Sequence, residues 1–220
     1  MSFAFGLAVF GTALAVGLRA YLAASTTQQR DILDRITLES AVNETLGRFA
    51  AGEVHSIKPT SLAELDLNQR RVAVDLSLPE GKRDLKGDPD TAVLEILQRH
   101  GLTVPEQNAA PPSNFASLEG LSRAWRLSAG QEDCLRRLAT VGRTPEVYRP
   151  EAAPGDGEGL MRTITAGDQV DVRASATASP ATKVLWVRAR FTGAVDGPWR
   201  VHDYRRLSLG PSSPSCGPVE

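Results

Sequence analysis

Scarcities in this 220-residue chain each remove a class of function. Only two cysteines occur, Cys134 and Cys216, which excludes a disulfide-dense scaffold. Histidine is limited to His55, His100 and His202. No H-E-x-x-H, C-x-x-C, G-x-S-x-G or Walker pattern accompanies them, so catalysis has no sequence support and the chain reads as a non-enzyme. Neither sign of charge dominates: 25 Lys and Arg oppose 26 Asp and Glu, a net of -1, which excludes non-specific nucleic-acid binding. With 41% hydrophobic and 23% charged residues the chain is not a disordered one, and it can build a core of one ordinary domain or two small ones.

Charge is absent altogether from Phe3 to Leu18, and after Arg19 the apolar text resumes through Ala24. A bilayer core of roughly 30 Å needs about 20 helical residues. Residues 1–25 therefore read as a transmembrane anchor, with Arg19 reaching the headgroups and Tyr21 at the interface. A cleavable secretory signal is the alternative. It lacks a basic n-region, and its small-x-small site, Ala13-Leu14-Ala15, falls inside the apolar run. Either reading places residues 26–220 outside the cytoplasm. Residues 26–52 extend the helix: Ile32, Ile36, Leu38, Ala41, Val42, Thr45, Leu46 and Phe49 recur at helical steps, and Gly52 supplies a stop. An unbroken helix from Phe3 to Phe49 is roughly 70 Å long, so its second half must pack on something beyond the membrane.

Residues 53–82 hold a first strand region. Val72, Val74, Leu76 and Leu78 alternate with Ala73, Asp75 and Ser77, the period of a half-buried strand. Residues 83–145 read as a helical subdomain. Asp88-Pro89 opens one helix, Ser117 precedes a second, and Ser128 with Gln131 forms a capping box before a third. A Pro/Gly-rich linker, 146–159, leads to the C-terminal strands and tail, 160–220. There Val170–Ala176 and Leu185–Phe191 alternate, and Trp199–Leu209 follows a Gly193–Pro198 turn. The expected fold is α+β: a long N-terminal helix against an antiparallel sheet that the strand at 71–78 joins, with the helical segment as an excursion.

At this point the residues resemble a family, the minor pseudopilin K of bacterial type II secretion. Arg83-Asp84-Leu85-Lys86-Gly87-Asp88-Pro89 before TAVLEIL resembles its turn into a proline-opened helix. Phe115 to Leu121, Ser128 to Leu138 and Thr140-Val141 resemble its paired helices ending in a Thr-Val strand. The likeness covers most of residues 3–145 and is weaker for the last strands. Lys86 stands where the family has Asn, and the glutamate of most pilins near the start is missing, as in K-type proteins. Family members carry a short basic leader cut after a Gly, whereas Met1-Ser2 alone precedes Phe3, so a longer start or an unprocessed relative is expected.

The resemblance implies a pilin-like sheet and a non-catalytic subunit at the tip of a periplasmic pseudopilus. Its partners would be other minor pseudopilins and inner-membrane secretion components. It also implies a single-pass location in the bacterial inner membrane with the bulk of the chain in the periplasm. Ile36, Val42, Leu46 and Phe49 are then the expected assembly face of the helix.

No cofactor is expected except calcium, which K-type proteins can bind. Asp84, Asp88 and Asp90, or Asp156 and Glu158, offer hard oxygen ligands, against the plainer readings of a helix cap and a linker. Cys134 and Cys216 are disulfide candidates, although Cys134 also fits a small buried apolar position. His202 and Asp203, adjacent in a strand, point to opposite faces and make a poor acid–base pair. Finally, Arg173, Arg188, Arg190, Arg200, Arg205 and Arg206, read as exposed and interleaved with Trp186, Trp199 and Tyr204, support an alternative function, a membrane-anchored periplasmic β-rich binding module, against the plainer reading of a sheet face packed by aromatics with arginines at its rim.

Overall fold

The computed structural model describes residues 2–51, 61–67, 70–79, 82–85, 89–103, 117–141, 164–178, 181–211, 213 and 216; the side chains of 2–17, 61–63, 89–90 and 178 lie outside that description. A single helix, α1, runs without a break from Ser2 to Ala50. It ends with the Ala51 amide donating to the Gly47 carbonyl at 2.9 Å; the expected stop at Gly52 lies outside the described residues. Among the described residues no helix is long and apolar enough to cross a membrane.

Strands β1 (Ser61–Leu67), β2 (Arg70–Ser77), β5 (Gln169–Ala178), β6 (Ala181–Phe191) and β7 (Trp199–Leu209) form one antiparallel sheet in the order β1-β2-β5-β6-β7. The two-residue strands β3 (Arg83–Asp84) and β4 (Ala139–Thr140) pair in parallel. Between β2 and β5, neighbours in the sheet, the chain builds α2 (Pro89–Arg99), α3 (Leu118–Ala124) and α4 (Ala129–Leu138). The cap signals are realised: Ser117 Oγ accepts from Gly120, and Ser128 with Gln131 forms the reciprocal capping box that satisfies the first turn of α4.

Alternation along the strands sorts side chains onto two faces. Val72, Val74, Leu76, Val172, Ala174, Leu185 and Val187 turn inward against Leu38, Ala41, Val42, Leu46 and Phe49 of α1, forming one apolar core. A second core, built from Leu85, Val93, Leu97, Leu121, Trp125 and Leu135, holds α2, α3 and α4 together. Cys134 of α4 and Cys216 lie buried in it and are joined by a disulfide, their Cα atoms 5.2 Å apart. Cys216, beyond β7, is thereby fastened to the helices.

Candidate assembly surface

Among its described side chains, helix α1 buries itself against the sheet only through its C-terminal part. Its described side chains from Leu18 to Leu33 are essentially all exposed, and burial begins at Asp34. From Leu18 to Leu33 the helix therefore packs no apolar side chain on the sheet. At about 100° per residue, Leu18, Tyr21, Leu22, Ile32, Leu33 and Ile36 fall within about 60° of one line along the helix. They are 47% to 71% exposed. The buried residues Asp34, Leu38, Ala41, Thr45 and Phe49 lie on the far side, about 180° round. One helix thus carries two apolar faces, one spent on its own sheet and one turned outward.

Polar clamps from both flanks of the sheet fix that rotation. Arg70 of β2 pairs with the buried Asp34. On the other flank Lys183 of β6 reaches Asp31 at 3.2 Å, and the Tyr204 hydroxyl of β7 donates to Glu39. Trp199 Nε1 donates to the Leu46 carbonyl at 2.7 Å, its ring edge-on to Phe49. The Tyr204 hydrogen bond, helped by Arg35, holds the Glu39 carboxyl below its usual value despite partial burial. Burial and that same hydrogen bond push the Tyr204 phenol up. Because the clamps engage α1 between Asp31 and Leu46, the helix cannot roll its outward stripe onto the sheet.

The expected assembly residues therefore divide. Ile36 is exposed on the outward face, whereas Val42, Leu46 and Phe49 are core residues of this chain's own domain and present nothing to a neighbour. Sequence reading missed Leu18, Tyr21, Leu22 and Leu33 as companions of Ile36, although angular position along the helix would have found them.

The arginine-rich strands also require correction. Arg173 is buried, and Arg188 and Arg205 are half-buried, because helix α4 covers the polar face of the sheet with carboxylates. Asp133 accepts from Arg173 Nε at 2.9 Å and from Trp186 Nε1 at 2.7 Å. Glu132 accepts from Arg205 Nε at 2.9 Å, Arg136 Nε at 3.1 Å and Ser122 Oγ at 2.9 Å. Burial pushes the Glu132 carboxyl up, but Arg205, Ser122 and Arg136 outweigh it and hold it below the usual value. Asp171 receives Lys82 Nζ and Arg188 Nε, each at 2.6 Å. Lys82, itself buried, also donates to the Arg136 carbonyl at 2.7 Å and lies over the Trp186 ring. These side chains make an interlayer seam, not a free binding face.

For metal binding, Asp84 sits in β3 while Asp88 and the Asp90 side chain lie outside the described residues, as do Asp156 and Glu158. Among the described residues no group of three or more His, Cys, Asp or Glu is placed to hold a metal ion. His202 is exposed in β7, and Asp203 instead accepts from Arg136 Nη1 at 2.8 Å, so the two do not act as a pair; His55 lies outside the described residues. No protein-family model matches the chain, and no curated protein matches it.

Proposed function

We propose that the chain is a minor pseudopilin-like subunit of the K type, anchored through its N-terminal segment in a bacterial inner membrane. It would assemble in the periplasm with other minor pseudopilins at the tip of a secretion pseudopilus. The observation that carries this reading is the outward apolar stripe of α1, held away from the sheet by the clamps at Asp34, Asp31 and Glu39. A stripe of that kind is a seam for other helices. Each large apolar side chain moved fully from water into such a seam contributes roughly 1.5 to 3 kcal/mol. In the α+β fold, the excursion of α2–α4 between β2 and β5 is consistent with the helical insert of that family.

The test is the triple variant Ile32→Glu/Leu33→Glu/Ile36→Glu. All these side chains are about half exposed, so unfolding stability should change by only about 0.5 kcal/mol per site. Co-purification of small pilin-like partners from native membranes should be lost. Retained co-purification by a well-folded triple variant contradicts the reading, as does a gene standing apart from any other pseudopilin genes.

A further inference from the structure

On the polar face of β5–β7 the arginines beneath α4 are each matched by a carboxylate: Arg173 by Asp133, Arg188 by Asp171, Arg205 by Glu132. At the far end of β6 and β7 the matching stops. Arg190 and Arg200 stand directly opposite each other across the two strands, both exposed, and among the described residues no carboxylate pairs with either. Like charges in that register repel, so the pair costs stability unless an anion lies between them.

The surroundings are shaped around that pair. Arg190 Nε donates to the Gly167 carbonyl at 3.1 Å and its Nη2 lies over Gly167, which fixes the stem of this exposed side chain. Gly167 holds φ at 106°, a conformation side chains disfavour, so the loop before β5 passes close under the arginine. A register shift between Arg188 and Ala189 leaves His202 unpaired, because Ala189 faces Val201 and Arg188 faces Asp203. Bulges of this kind re-aim side chains at sheet rims. With Phe191 and Thr192 these residues line an open cleft of about 380 Å³. Phe191 is the apolar side chain of that lining.

We propose that this cleft docks an acidic segment of a partner protein, its carboxylates on Arg190 and Arg200 and an apolar side chain against Phe191. A fork of N–H donors suits carboxylates in this way. The position favours a protein over a lipid headgroup. Trp199, next to Arg200, contacts Leu46 and Phe49 at the end of α1. At 1.5 Å per residue the cleft is about 32 Å along the helix from Ser25, where the proposed anchor ends.

The site is carried by the sheet and stands independently of the outward stripe on α1. The full-length chain in detergent is titrated into a fluorescent hexaglutamate peptide at low ionic strength and followed by anisotropy. Saturable binding is expected that weakens with added salt, falls about tenfold or more in Arg190→Gln/Arg200→Gln, and is unchanged in Arg126→Gln. The triple glutamate variant of α1 should bind as the parent does, so failure of the assembly reading and failure of this one are separable. Since both arginines are exposed, thermal unfolding reports whether the double variant is folded. Equal binding by the double variant, equal binding of a hexaglutamine peptide, or binding of inorganic phosphate without the peptide overturns the proposal.

Discussion

Replacing Cys134 and Cys216 together by alanine is expected to lower unfolding stability by roughly 4 to 5 kcal/mol, the chain-entropy value for so long a loop. The bridge spans a sequence separation of 82 and closes a loop that includes β5, β6 and β7. Cutting it releases the unfolded chain from that constraint and frees residue 216 from the helical core, where both cysteines are buried. Urea denaturation of the parent, oxidised and reduced, and of the double alanine variant checks this. The reduced parent and the variant should unfold at similar, much lower midpoints than the oxidised parent. Coincident midpoints for all three would contradict it.

Asp171→Ala should be nearly as damaging, at about 3 to 5 kcal/mol, because it strands the buried Lys82 and the half-buried Arg188. Lys82 and Arg188 both close on that carboxylate, and Lys82 is 5% exposed. Burial pushes the Asp171 carboxyl up, but Lys82 and Arg188 outweigh it and hold its pKa at about 2. A folded-state value below the unfolded one means that the contribution is fully present above about pH 4. It is lost as the pH falls through about 2. Acid titration of the parent should therefore show this seam failing only at the low end of that window.

Lys82 has the opposite charge and the same direction of shift: burial lowers its pKa, with Asp171 opposing that fall. Without Asp171 the lysine falls further. Since the unfolded lysine then holds its proton over a wider range than the folded one, stability of Asp171→Ala should rise with pH below the ordinary lysine value. Adding Lys82→Met should restore part of the loss. A variant as stable as the parent, or one indifferent to the second substitution, contradicts the assignment of Asp171 as the centre of the seam.

The sequence disclosed elements whose side chains repeat locally. The 3.6 period marked α1, the period of two marked β2, β5 and β6, and Ser117 and Ser128 marked helix starts that depend only on neighbours three residues on. Strand β1 escaped notice because its alternation is short, with Leu65 and Leu67 set against Glu64 and Asp66, and it becomes a strand by pairing with β2. The exposure of Arg173, Arg188 and Arg205 was misread for a different reason. Alternation shows that Arg173 and Asp171 share a face but not whether water or another layer covers it, and the decisive partners, Asp133 and Lys82, are 40 and 89 residues away.

The candidate surface was legible in part. Ile32, Ile36, Leu38, Ala41, Val42, Thr45, Leu46 and Phe49 look like one apolar series when read by spacing. The single step of two from Ile36 to Leu38, however, turns the helix by about 200° and moves the series from one face to the other. Ile32 and Ile36 consequently point outward while Leu38 and its successors enter the core. Only the sheet's position distinguishes the two faces, and that position depends on long-range contacts from Arg70, Lys183 and Tyr204.

Site-specific cysteine cross-linking in native membranes tests the outward stripe most directly. Ile32→Cys lies on the stripe and Thr27→Cys, also exposed, about 140° away from it. With a short thiol cross-linker, Ile32→Cys should yield adducts with a neighbouring pilin-like chain and Thr27→Cys should yield none. Adducts formed equally from both positions, or from Thr27→Cys alone, would contradict an assembly role for the outward face of α1.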